Sequence, residues 1–143
     1  MKNLIFIFIF FFQGCLPVVG RQSNQVCFKN HCFQVELAQN DEERTRGLQW
    51  RESMDGGKGM LFIFPYPSKY GFWMKDTLIP LDMIWMDYAR RVVSIVTDVK
   101  PCKESPCPTF TPPSDALYVF EINAGYAAKL GIKKGDVAVF KLR

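Results

Sequence analysis

The chain has 143 residues, 48% of them hydrophobic and 22% charged, with a formal net charge of +4. That length suits one globular domain with a single core. Basic residues are scattered among acidic ones, with no run beyond Arg90-Arg91 and Lys133-Lys134, so no nucleic-acid partner is expected.

Residues 1–20 predict a bacterial export signal. Met1 and Lys2 make a short positive start, and residues 4–12 form an unbroken apolar run. That run is too short to cross a bilayer, which takes about 20 residues, but it suits a signal core. Two cleavage points compete. Phe12-Gln13-Gly14-Cys15 resembles a lipobox, although Phe12 and Gln13 are uncommon at their positions. Val18-Val19-Gly20 resembles an ordinary small-residue site ahead of Arg21. The first is favoured because the apolar run stops just before Gly14-Cys15, which makes Cys15 the expected lipidation site and the membrane its anchor. Either cut exports the mature domain, membrane-anchored or else periplasmic or extracellular. Residues 21–25 then read as a polar linker and 26–143 as a single domain.

A hairpin opens the domain. Val26 and Phe28 flank Cys27, while Phe33, Val35 and Leu37 alternate with Cys32, Gln34 and Glu36, a period of two with one wet face. Both cysteines fall in the polar-facing set, and His31, the only histidine, lies in the turn. Asn40 caps a short helix with an acidic first turn, and Glu43 completes a capping box. Gly47 ends the helix. Residues 59–64, GMLFIF, are too short for a helix and predict a buried strand ended by Pro65 and Pro67.

Residues 71–87, GFWMKDTLIPLDMIWMD, read as two strands, 71–75 and 81–87, facing each other as a hairpin. The second is apolar on both faces, which suits an interior position, and Asp82 is the odd member of its face. Residues 91–99 and 116–123 predict further strands. Residues 100–113 hold five of the nine prolines and predict an irregular loop of held shape. A short helix over 125–130 and a last strand over 137–142 complete the chain. The expected fold is all-β, a mostly antiparallel barrel or sandwich with two short helices.

Either cut leaves four cysteines for structure, Cys27, Cys32, Cys102 and Cys107, in two pairs of equal spacing, CFKNHC and CKESPC. Four cysteines allow three connectivities, of which the local one is simplest. A four-thiolate zinc site is the rival, and an oxidising compartment favours disulfides over it.

Six segments resemble the family known as domain of unknown function 192. They are Glu43-Arg44-x-Arg46-Gly47-Leu48, Gly59-Met60-Leu61-Phe62-x-Phe64, Phe72-Trp73-Met74-Lys75, Ile79-Pro80-Leu81-Asp82, Glu121-x-Asn123-Ala124-Gly125 and Gly131-Ile132-x-x-Gly135-Asp136. The resemblance implies a compact, mostly antiparallel β fold and frequent export, and no established reaction. The family more often has Asn where this chain has Asp76. The Pro-Cys pattern around Cys102 and Cys107 resembles that of exported members.

Familiar catalytic machinery is not expected. His31 on its turn gives no Ser-His-Asp or Cys-His arrangement, the mature cysteines have partners, and no phosphate loop or dinucleotide fingerprint is present, so no cofactor is implied. The methionines Met54, Met60, Met74, Met83 and Met86 read as core filling rather than a copper(I) site. Polar residues inside apolar strands are the serious candidates. Lys75 and Asp82 meet across the expected hairpin, either as a structural ion pair or as part of a ligand pocket with Arg46, Trp73, Glu121 and Asn123. The leading reading is an exported envelope module that binds a small or carbohydrate-like ligand there. The alternatives are a hydrolase- or lyase-like enzyme using Asp82 or Glu121 with Lys75, and a structural partner of another envelope protein through Tyr66, Tyr70 and Phe110.

Overall fold

The computed structural model describes residues 23–143, so the export signal and Cys15 lie outside the described residues. The capping box forms as the sequence demands. Asn40 Oδ1 accepts from Glu43 N at 2.8 Å while the Glu43 carboxylate accepts from Asn40 N, starting helix α1 (Asp41–Arg46). Before it run β1 (Gln25–Phe28) and β2 (His31–Ala38), the expected hairpin, whose first strand takes in the last residue assigned to the linker. Then follow β3 (Lys58–Ser68), β4 (Phe72–Trp73), β5 (Leu81–Met86), β6 (Val92–Val99), β7 (Thr109–Phe110), β8 (Ala116–Asn123), helix α2 (Tyr126–Lys129) and β9 (Val139–Lys141).

Seven strands form one sheet in the order β6-β5-β8-β3-β2-β1-β9, and β4 pairs with β7 as a separate ribbon. The all-β expectation with two short helices holds. The main sheet is mixed, because β2 and β3 run parallel, joined by the crossover through α1. It does not close into a barrel. One antiparallel bridge, Arg91 to Val137, ties the approach to β6 to the approach to β9 at a single corner.

Both sheet faces are covered, which explains why all six residues of β5 are buried. On one face Ile84, Met86, Phe120 and Ile122 pack with Phe28 and Phe33 under Ala127 of α2. On the other, Met83, Trp85 and Val119 pack with Leu48, Phe62 and Met74, with Phe72 and Phe110 of the ribbon against them. Met60, Met74, Met83 and Met86 are all buried in these cores.

Three expectations need correction. The strand at 59–64 does not stop at its prolines. β3 continues to Ser68, with its ladder to β8 interrupted between Ile63 and Ser68, so Pro65 and Pro67 fall where regular pairing is lost. Residues 71–75 do not form a hairpin with 81–87. β4 pairs with β7 through Phe72↔Phe110 and Trp73↔Thr109, which also gives the proline-rich loop a strand. Cys27 shares the outer face with the exposed Cys32 opposite it, as expected, but is itself buried, with β1 flanked by β2 and β9. The bridges themselves are local, Cys27–Cys32 across the hairpin and Cys102–Cys107 within the loop. Among the described residues no helix is long and apolar enough to cross a membrane.

Candidate functional site

Strand pairing sorts the six predicted residues. Asp82 stands opposite Ile122 and Met83 opposite Glu121, so Asp82 shares a face with Ile122 while Glu121 lies on the other. Asp82 is fully buried, and both its oxygens are engaged. Oδ1 accepts from Asp98 N and Oδ2 from Ala127 N, each at 2.8 Å. Ala127 is in the first turn of α2, whose cap residue Gly125 offers no side chain, so a strand carboxylate caps that helix. Asp98, at φ 54, takes the left-handed conformation that aims its N–H at Asp82. The expected Lys75–Asp82 pair does not form, since β4 left the hairpin for β7. The carboxylate pair of a glycosidase is ruled out for Asp82 and Glu121 by the same pleat.

Asn123 is on the face of Glu121 but is occupied elsewhere. Its Nδ2 donates to Met54 O at 2.6 Å and holds the loop ahead of β3.

Arg46, Trp73, Lys75 and Glu121 do come together. They line a cavity of about 40 Å³ whose floor is Leu48, Phe62, Thr77 and Glu121, all buried, and whose rim is exposed. Arg46 arrives from the last turn of α1. The chain turns at Gly47, at φ 46, where a side chain would stand 3.3 Å from the Phe62 ring. Lys75 arrives from the opposite wall, followed by Asp76 at φ 56. Asn and Asp tolerate that conformation best, which accounts for the Asn-for-Asp exchange against the family pattern. Asp76 O accepts from Trp50 N at 2.8 Å, tying the two walls together.

Glu121 is only 4% exposed, and its carboxyl makes no hydrogen bond or ion pair among the described residues. Burial pushes its pKa up from the ordinary carboxylate value to about 8, so it is largely protonated at neutral pH. Lys75 Nζ lies over the Trp73 ring, 5.5 Å from its centroid, and Trp73 is 48% exposed. Arg44 is also at the wall but is committed, donating to Gln39 O, Ile63 O and Asp41 Oδ1.

A wider cleft of about 370 Å³ adjoins the cavity, sharing Arg44, Thr45, Phe72 and Trp73 with it. Its aromatic wall is built by Phe64 stacked on Tyr70, centroids 3.5 Å apart, and by Phe72. The Tyr70 hydroxyl donates to Tyr66 O at 2.7 Å. Of the residues named as a protein-docking surface, Tyr66 is 64% exposed, whereas Phe110 packs against the core. Thr45, Leu48, Phe62 and Thr77 were not singled out from sequence. Only Leu48 and Phe62 carry a signal, since both stand in the segments that resemble the family. Among the described residues no cluster of three or more His, Cys, Asp or Glu is placed to hold a metal ion.

The model of the family DUF192, described as Uncharacterized ACR, matches residues 24–140. A UPF0127 protein of Thermococcus gammatolerans is 30% identical over 105 residues, covering 72% of this chain and 63% of that relative's length. The crystal structure of a Novosphingobium aromaticivorans protein of unknown function is similar, with TM-score 0.74 and 36% identity over 87% of this chain and 89% of that one. A Sinorhizobium meliloti protein, provisionally named a transcription regulator, has TM-score 0.74 and 30% identity over 82% of this chain and 91% of its own. Cap, interior strand and the Glu121 strand all fall inside the matched span, and the chain belongs to the domain of unknown function 192 family.

Proposed function

We propose that this protein is an exported cell-envelope module that binds a small, carbohydrate-like ligand in the cleft over Glu121. One observation carries the reading: a buried, unpartnered carboxyl group at the floor of a cavity whose rim supplies Arg46, Lys75 and an exposed Trp73. A buried polar group without a partner costs free energy unless something occupies the space before it. The aromatic cleft alongside supplies ring faces of the kind on which sugars stack.

A thermal-shift screen against envelope sugars and small polar metabolites tests this, run beside Lys75→Ala and Arg46→Ala. A compound that raises the wild-type midpoint and not those of the folded variants supports the site. If no compound acts, the pocket reading fails, and the groove of about 400 Å³ between Val99, Cys102 and Phe110 becomes the place to look for a protein partner.

The raised pKa of Glu121 favours one enzymatic alternative, hydrolase- or lyase-like, in which Glu121 alone is the proton donor and Lys75 and Arg46 hold an anionic substrate. Turnover of any screened sugar that Glu121→Gln abolishes would establish it.

Export and lipid attachment at Cys15 complete the proposal. Cys15→Ser should release the protein from the membrane fraction, and unchanged partitioning would favour the ordinary cut before Arg21.

A further inference from the structure

We propose that the ligand is an acidic sugar, a hexuronic acid, whose carboxylate enters the Glu121 cavity between Arg46 and Lys75 while its ring lies in the aromatic cleft beside it. The inference rests on the binding reading above and names the ligand class.

Charge is the first argument. The charged groups that line the cavity together with Glu121 are Arg44 and Arg46 from α1 and Lys75 from the segment after β4. The strand neighbours of Glu121, Met60 on β3 and Met83 on β5, bring none. Arg44 is neutralised by Asp41 at 2.7 Å, but Arg46 and Lys75 make no ion pair with any described residue. Arg46 acts electrostatically on Glu36 and Glu43, but neither it nor Lys75 is held in a direct ion pair, and two such cations at the mouth of a small cavity favour an anion there.

The floor supplies the second argument. A protonated Glu121 is a hydrogen-bond donor, and a ligand carboxylate is the acceptor that matches it. The geometry therefore links binding to a proton. Once Glu121 ionises, two carboxylates would share one small space, and the ligand leaves.

Size and shape decide the rest. A cavity of about 40 Å³ admits a few heavy atoms, enough for a planar carboxylate but not for a sugar ring. The adjoining cleft of about 370 Å³ is large enough for one pyranose, with Trp73 and Phe72 at the junction. A carboxylate attached directly to a ring spans those two compartments.

Titration calorimetry on the purified full chain tests this with D-glucuronate, D-galacturonate, D-glucose and D-glucose 6-phosphate. At about pH 6.5 a uronate should bind roughly tenfold tighter than glucose or more, and Arg46→Ala should remove most of that difference. Above about pH 8 uronate affinity should fall by about tenfold per pH unit in the wild type. Whatever affinity Glu121→Gln retains at about pH 6.5 should lose that decline. Uronates no tighter than glucose, affinity flat across pH, or tighter binding of glucose 6-phosphate would each overturn the acidic-sugar assignment. Glucose bound in a manner sensitive to Trp73→Ala would keep the site while removing the ligand class. Failure of all four sugars, with no hit in the wider screen, removes both.

Discussion

Asp82 on β5 and Glu121 on β8 stand one register position apart on neighbouring strands, yet their carboxyl groups lie on opposite faces of the sheet. Both are buried, and their environments give them opposite characters. Asp82 is saturated by two backbone amides from distant parts of the chain. Glu121 has none and is held neutral by burial. The first is a brace. The second is a group waiting for a partner.

Asp82→Ala should destabilise the domain by about 3 kcal/mol or more, because it leaves the Asp98 and Ala127 N–H groups without their charged acceptor. Asp82→Asn keeps one acceptor oxygen and should cost less. Urea denaturation measures both. Hydrogen exchange should locate the damage in α2 and at the β5–β6 end near Asp98. A loss below about 0.5 kcal/mol for Asp82→Ala would show that the cap is dispensable.

Stability should depend on pH through Glu121, and the sign is fixed. Its pKa is raised in the folded state, from 4.5 to about 8, so between those values the folded protein holds a proton that the unfolded chain releases. Stability is therefore greatest on the acid side of this window and falls as pH rises through it, by up to about 1.4 kcal/mol per pH unit. Glu121→Gln should flatten that slope and be the more stable protein at about pH 8. Equal slopes in the two proteins would place the Glu121 pKa near its ordinary value.

The Cys102–Cys107 bridge should matter to the site as well as to stability. Lys75 bridges Cys102 in the backbone, and β7, just beyond Cys107, is among the described residues the only strand paired with β4, which carries Trp73. The Cys102→Ser/Cys107→Ser variant should lose about 2 kcal/mol of stability, the amount expected for so short a loop. Amide exchange at Trp73 and Thr109 should rise more than at any β5 residue. Uniform protection in the variant would mean that the ribbon holds itself.

Arg46→Ala and Lys75→Ala should leave the melting temperature close to wild type, since both side chains are exposed at the rim and neither makes an ion pair among the described residues. Their effect should appear in ligand affinity alone. A large loss of stability in either would reassign that residue to the scaffold.

What could be read from the residues was local or periodic. The capping box at Asn40 and Glu43, the hairpin around Lys29, and the two-sided burial of β5 each depend on neighbours within a few positions. The parallel pairing of β2 with β3 and the departure of β4 to β7 depend on contacts distant in the chain, which no short pattern encodes. Asp82 was conspicuous as a polar residue in an apolar strand, but its partners are backbone amides 16 and 45 positions away, so its role as a brace was invisible. Arg46, Trp73, Lys75 and Glu121 were named from their composition and segments and do converge. Thr77 at the cavity floor carries no signal at all, a single threonine on a turn made by the left-handed residue before it.

The account depends most on the state of one carboxyl group. Its direct measurement is a pH titration of the Glu121 side-chain carbon by NMR in the folded protein. A midpoint near 8, rising further when a uronate is bound, is the result expected of a buried, unpartnered acid at the floor of a binding cavity. A midpoint near 4.5, unmoved by any ligand, would mean that Glu121 is solvated or paired, and that the cavity is not a site.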